Sequence, residues 1–432
     1  MTPLLLPVLL SAVKSVAAAV LLFLWAASLA RYGYVDQQFL GKLSRAAKVM
    51  FLPSLIFTST ARGMTMSFLR QNWMLALFGI AILVVGSIIG NLLAIALRVP
   101  AHLRPWYVLA IAIPNMVALP LVLVEALCRE EQESNGLVAD CIDGATTRLF
   151  TVTLSHTFLF WTICYGYVRS YAKDLPASSS DTFSVPDTPG YLEADCIDEK
   201  VHLELPIEDN GPDNAPTAIG HGTPCSEPLP SKSQVQNSLP EVQTRKSFCR
   251  EATDALLEPP IVANVVALFV ALSPSLHNLF YSQGAPLSFP ASGLAVVGKA
   301  SPAVTNLVVG GSFGLQLLDR REKDPFGIKA LGLSVKAMML LVLGRIVIVP
   351  LINMSILVLC LQRFPQDAWS RLILFFQPAG TTANVVTLLA QLTDQPQGGQ
   401  MVAMCVIPQM ILYVPMATLF ITTGLIWNAE MM

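Results

Sequence analysis

Charge is what this sequence has least of. Only 13% of its 432 residues are Asp, Glu, Lys or Arg, where a soluble domain carries roughly a quarter. A soluble chain of this length would divide into two or three domains, but here the apolar runs are too long and too closely spaced for that. A net charge of −2 excludes a nucleic-acid partner held by a basic face. Catalytic signatures are also missing. HExxH and GxGxxG do not occur, so neither an enzyme nor a metal or cofactor site is expected. Gly293–Ala300 comes near a P-loop, but Ala300 stands where a hydroxyl would meet magnesium, and no strand precedes it. No CxxC pair exists among the eight cysteines. Cys164, Cys360 and Cys405 lie in apolar runs and read as small core residues. Cys128 and Cys141 share one polar segment, and the expectation is that they stay unpaired, because spacing alone does not supply disulfide geometry. A positively charged leader is lacking too. The first 30 residues therefore read as a membrane span, despite the cleavage-like Ala26-Ala27-Ser28-Leu29-Ala30.

What the chain does have is apolar length. A hydrocarbon core of about 30 Å takes roughly 20 apolar residues in a helix. Ten segments meet that need: 8–30, 39–60, 73–97, 106–127, 147–170, 258–281, 291–318, 331–361, 370–391 and 400–427. The alternating ten-residue pattern of a membrane barrel is absent, and helices are the other structure that satisfies every backbone group in lipid. The sequence thus predicts an all-α polytopic membrane protein. Residues 172–256 differ: rich in Ser, Pro, Asp and Glu and without a long apolar run, they read as a disordered acidic loop. The loop separates an N-terminal five-helix half, 1–171, from a C-terminal one, 257–432. An odd number of spans per half inverts the second half relative to the first, as in carriers built from inverted repeats. With the N-terminus outside or in a lumen, the short cytosolic loops hold ten Lys and Arg, from Arg31 to Lys329, and the opposite loops hold six. This positive-inside bias places the acidic loop in the cytosol.

Two spans carry breaks. The fourth reads Ile113-Pro114-Asn115-Met116-Val117-Ala118-Leu119-Pro120, and the ninth reads Gln377-Pro378-Ala379-Gly380-Thr381-Thr382-Ala383-Asn384. A proline inside a helix removes a hydrogen bond and clashes with the preceding turn. In lipid the freed groups need protein, water or ligand. Two breaks meeting near the midplane would each expose a half-helix N-terminus, whose dipole favours an anion. Pro114, Asn115, Pro120, Gln377, Pro378 and Asn384 are thus the expected substrate-binding residues. A plain proline kink explains one break well and a matched pair poorly.

These stretches, with Pro53-Ser54-Leu55-Ile56-Phe57, Leu119-Pro120-Leu121-Val122-Leu123-Val124-Glu125-Ala126, Glu258-Pro259-Pro260-Ile261-Val262-Ala263, and Arg345 followed by Pro350, resemble the auxin efflux carrier family, and within it the PIN-LIKES branch. The resemblance covers the hydrophobic parts and none of the loop. It implies ten spans, with crossed helices four and nine forming the site, and a mobile unit moving against a scaffold of spans one, two, six and seven. It maps site positions onto Pro114, Asn115, Pro378 and Asn384. It also implies an endoplasmic reticulum membrane, with the plasma membrane second. Family members often carry Gly-Asn ahead of the fourth-span crossover; here the stretch is Ile113-Pro114-Asn115.

Charge at membrane depth is costly and marks function by default. Arg345 lies deepest and joins the candidate site, as a partner for a substrate carboxylate or for Glu125; a structural ion pair is the plainer alternative. His156 reads either as a proton relay or as a hydrogen-bonded core residue. The leading expectation is a secondary carrier moving a small organic anion, an indole acid or another carboxylate, by alternating access. A sodium-coupled symporter on a similar scaffold, or a receptor signalling through the acidic loop, are the alternatives. The expected partners are that anion and the bilayer, and a homodimer is left open.

Overall fold

The computed structural model describes residues 2–135, 138–174, 255–282, 284–318, 332–360 and 367–430. The acidic loop falls outside them, apart from 172–174 and 255–256, as do Arg320, Arg321, Lys323, Lys329 and Arg363 used in the charge count. Among the described residues everything regular is helical, and the sole strand-like feature is one isolated bridge between Pro114 and Thr382.

The N-terminal half holds α1 (Thr2–Arg31), α2 (Gln37–Ala46), α3 (Leu52–Gly63), α4 (Met66–Ala96), α5 (Arg104–Ala112), α6 (Ala118–Asn135), α7 (Val138–Leu159) and α8 (Tyr165–Asp174). The C-terminal half holds α9 (Pro259–Leu272), α10 (Pro274–Tyr281), α11 (Ser288–Lys299), α12 (Ser301–Leu318), α13 (Val335–Leu343), α14 (Val349–Cys360), α15 (Ala368–Phe376), α16 (Asn384–Leu392) and α17 (Pro396–Glu430). Side chains start several of them. Asp36 accepts from Phe39 N, Thr65 from Phe68 N, Ser334 from Ala337 N and Asp367 from Ser370 N. Each satisfies one of the N–H groups that a helix start leaves orphaned.

Prolines shape the rest. The π-helical turn Ala47–Phe51 joins α2 to α3 just before Pro53, and a second, Gly344–Ile348, joins α13 to α14 just before Pro350. The wider turn gives the proline ring room where the i−4 bond is lost. The expected sixth span is not one rod: α9 and α10 meet at 102° across Ser273, which takes the extended conformation that a following proline imposes. The polar stretch expected to separate spans four and five is instead helical, from Ala118 to Asn135 and from Val138 on, since polarity alone does not end a helix. Contrary to expectation, Cys128 and Cys141 form a disulfide, with Cα atoms 5.8 Å apart. The antiparallel meeting of α6 and α7 brings them within bonding range.

The two halves interlock reciprocally. Helix α1 packs along α12 of the other half, and α9 packs along α3 of the first. Close approach depends on glycine. A Cβ on Gly310 would fall 2.4 Å from Phe23 O, and one on Gly314 would fall 2.4 Å from Ala27 O. Gly86 and Gly90 likewise seat α4 on the backbone of Ala112 and Val108 in α5. Such small-xxx-small faces are how helices associate in lipid, where apolar burial supplies no drive. Polarity is inverted accordingly. Leu21, Leu92, Phe269, Val296 and Ile411 face outward, while Gln377, Thr381, Thr382 and Gln409 are fully buried. Five described helices are long and apolar enough to cross a membrane, six with the bent α9–α10 pair. The chain is an all-α polytopic membrane protein. The stretches 104–135 and 368–392 are each interrupted, leaving α5, α15 and α16 at nine residues apiece, and those interruptions make the site.

Candidate functional site

The two interruptions lie against each other. Helix α5 ends at Ala112 and α6 begins at Ala118; α15 ends at Phe376 and, after a short 3-10 turn Gln377–Ala379, α16 begins at Asn384. Between these ends the chains pair as a minimal antiparallel bridge. Asn115 N donates to Thr381 O at 2.6 Å, and Ala383 N donates to Ile113 O at 2.9 Å. The Thr382 hydroxyl donates to Ala110 O at 2.6 Å, and its N–H to Gln409 Oε1 at 2.7 Å. Gln377 Nε2 reaches across to Met116 O at 3.0 Å. The backbone groups freed by Pro114 and Pro378 are thus largely satisfied by the opposite break, as lipid requires. Gly380 permits the approach: a Cβ there would sit 2.9 Å from Asn115 O.

Arg345 secures this arrangement, and not through the Glu125 pairing that the sequence offered. It is fully buried and has no carboxylate partner among the described residues; Glu125 is not bonded to it. Its guanidinium donates to three backbone carbonyls: Nε to Gly380 O at 2.8 Å, Nη1 to Ile111 O at 3.0 Å and Nη2 to Pro378 O at 2.7 Å. Ile111 lies in the last turn of α5, and Pro378 and Gly380 lie in and just past the 3-10 turn that follows α15. A helix C-terminus carries about half a negative charge. Two of them together come to about one, which matches the guanidinium. The arginine is held by backbone dipoles from both breaks, and the planar fork suits several acceptors at fixed angles.

The N-terminal ends of α6 and α16 face the other way, into a cavity of about 110 Å³. Pro114, Asn115 and Asn384 line it, with Thr153 and His156 of α7 and Ser301 and Pro302 at the start of α12. The two asparagines play different parts. Asn115 Oδ1 accepts from Ala118 N at 3.0 Å and caps α6. Asn384 donates from Nδ2 to Asn306 Oδ1 at 2.6 Å, leaving its Oδ1 without a partner among the described residues. Helix α16 has no side-chain cap.

Of the seven residues expected from sequence, Pro114, Asn115 and Asn384 meet at this cavity. Gln377, Pro378 and Arg345 lie behind it, where they join the two breaks, and Pro120 sits in the first turn of α6, where its missing N–H costs nothing. Sequence reasoning singled out His156 without placing it at the breaks, and missed Thr153 and the α12 start as lining and Gln409 as a support. Pro302 and Gln409, polar or helix-breaking in apolar stretches, carried a local signal. The near-P-loop at Gly293–Ala300 is the end of α11, and Gly298 is there for packing, since a Cβ would fall 2.8 Å from the Leu55 backbone.

Comparison with known proteins agrees with this architecture. The sequence profile of the membrane transport protein family matches residues 11–421. The chain is similar to Protein PIN-LIKES 6 of Arabidopsis thaliana, 24% identical over 71% of this chain and 67% of the relative. Protein PIN-LIKES 7 of the same plant is 24% identical over 81% and 80%. An uncharacterised transporter of Schizosaccharomyces pombe is 23% identical over 75% and 74%. With nearly its whole length matched, the chain belongs to the membrane transport protein family, that of the auxin efflux carriers, and is an integral membrane transporter.

Proposed function

We propose that this protein is a secondary carrier that moves a small organic anion, an indole acid or a similar carboxylate, by alternating access at the paired breaks. One observation carries the reading. The C-terminal ends of α5 and α15 are neutralised by Arg345, while the N-terminal ends of α6 and α16 point at the cavity. The partial positive charges of the broken helices, about half a unit each, are therefore left facing one place. An anion is the ligand such a place favours.

The same reading takes the chain as ten spans in two inverted five-helix halves, 1–171 and 257–432, with broken helices four and nine crossing at the centre. The reciprocal packing of α1 on α12 and of α9 on α3 supports it. Those helices would form the scaffold, and the breaks would ride on the unit that moves against it. The Cys128–Cys141 disulfide supports a lumenal or outer location for the turn between α6 and α7, since disulfides persist in oxidising compartments. That side agrees with the orientation from the Lys and Arg count, and leaves 172–256 in the cytosol. Similarity to the PIN-LIKES proteins supports the endoplasmic reticulum membrane.

The test is uptake of a labelled indole acid into vesicles holding the purified protein. Asn384→Ala and Asn115→Ala should each reduce uptake at least tenfold while leaving the folded yield intact. Unchanged uptake in both would remove the breaks from the site.

A further inference from the structure

The cavity has a charge problem. Among the residues that line it there is no Asp, Glu, Lys or Arg. The uncapped start of α16 offers only a fraction of a positive charge, and Asn115 already occupies the start of α6. A carboxylate entering so apolar a space needs a full counter-charge, because the low dielectric magnifies any imbalance. One lining side chain is able to acquire it. His156 is only 5% exposed, its Nε2 has no hydrogen-bonding partner among the described residues, and it lines the same cavity as Asn384. Asn384 is 4% exposed, and its Oδ1 also lacks a partner there.

We propose that His156 is the proton-carrying ligand of this cavity, taking up a proton as a carboxylate enters and pairing with it as imidazolium. The inference rests on the organic-anion reading above and adds to it a coupling ion and a charge balance. The proton comes from the aqueous phase the cavity faces and binds Nε2. No bond in the substrate is made or broken. When the loaded site opens to the other side, the anion and the proton leave together, so one cycle carries one of each and moves no net charge.

The surrounding charges leave this task to His156. The described charged side chains on elements packed against α7 are Arg62 on α3, Arg70 on α4, Glu125 on α6, Glu258 ahead of α9, and Asp367 and Arg371 at α15. Lys48 and Arg345 lie on the π-helical turns, and Asp143, Arg148 and Arg169 belong to the α7–α8 stretch itself. None lines the cavity. Lys48 pairs with Glu258 at 2.5 Å, Arg62 with Asp143 at 2.9 Å and Arg148 with Asp367 at 2.8 Å. Arg345 is committed to its three carbonyls.

Two measurements decide the matter. Calorimetric titration of the purified protein with indole acetic acid, in buffers of different ionisation enthalpy, reads protons exchanged on binding. The wild type should take up about one proton per ligand near pH 7, and His156→Gln should take up none. In vesicles, wild-type uptake should rise as the outer pH falls from about 8 to 5, the range in which an imidazole titrates. The variant should be flat and at least tenfold slower at the acid end. Zero proton uptake by the wild type overturns the proposal even if the variant does not fold. Proton uptake retained in the variant also overturns it, because the ligand would then carry the proton. If His156→Gln keeps the wild-type pH profile while Asn384→Ala abolishes uptake, only the role of His156 fails. If neither substitution alters uptake, the anion site at the breaks fails with it.

Discussion

Arg345 offers the sharpest perturbation, because every bond it makes is to a backbone carbonyl and those carbonyls come from both breaks, the last turn of α5 and the turn that follows α15. Replacing it with Met keeps much of the volume and removes all three donors. A hydrogen bond to a charged group contributes about 1.5–3 kcal/mol, so three amount to roughly 4–9 kcal/mol before offsets. The offset is real: a buried guanidinium costs several kcal/mol of desolvation that Met does not incur. What remains is the cost of stranding carbonyls of both breaks in a dry interior, about 1–3 kcal/mol each. A net loss of about 3 kcal/mol is the reasonable centre. For a chain this large that corresponds to a fall in apparent melting temperature on the order of 3 °C. Arg345→Lys restores the charge but not the fork, and cannot meet three acceptors from two segments at once; it should fall between the two. Both proteins, purified in detergent, are compared by the temperature at which the monodisperse peak is lost on size exclusion, and then by vesicle uptake. Uptake should drop at least tenfold in the Met variant, because the paired breaks lose their clamp. A Met variant that melts with the wild type and transports at its rate would refute the reasoning. A Lys variant indistinguishable from wild type would show that charge alone suffices.

Other perturbations reach different parts of the account. Gly314→Val places side-chain atoms where even a Cβ would fall 2.4 Å from Ala27 O; it should separate α1 from α12, lowering the melting temperature by several degrees, whereas Gly33→Ala, at a position with no atom within 4 Å of an added Cβ, should cost only its backbone strain. The paired change Cys128→Ser with Cys141→Ser should destabilise by up to about 3 kcal/mol, the entropy of a loop of this length; in intact microsomes these thiols, once reduced, should resist an impermeant maleimide until the membrane is opened. Deleting residues 180–245 should leave vesicle uptake within twofold of the full chain, and a complete loss would favour a receptor working through that segment.

How far the sequence could be read depended on whether a signal was local. The breaks at Pro114 and Pro378 were legible because proline acts on its own turn whatever surrounds it. The bend at Ser273-Pro274 had the same kind of signal, but lay inside an apolar run long enough to pass as one span. Gly86-Ser87-Ile88-Ile89-Gly90 and Gly310-Gly311-Ser312-Phe313-Gly314 carried the spacing of tight helix packing, but the spacing does not name the partner helix. The partners of Arg345 were beyond reach for a different reason. A carbonyl belongs to every residue type, so no letter in the sequence marks it as an acceptor. His156 stood out as an ionisable residue in an apolar span, but its place at the cavity, like that of Thr153, depends on α7 turning that face toward both breaks, a tertiary fact. The disulfide needed the antiparallel meeting of α6 and α7, which their polar connection concealed.

The central claim is that the broken helices turn their positive ends toward an anion. Displacement of labelled indole acetic acid from the purified protein, by the unlabelled acid and by its methyl ester, tests it most directly. The two competitors share shape and differ in charge. The acid should displace the label at least tenfold more effectively than the ester, and Asn384→Ala should erase most of that difference. Equal displacement by acid and ester would contradict the account, since a site blind to the carboxylate has no use for the helix ends that face it.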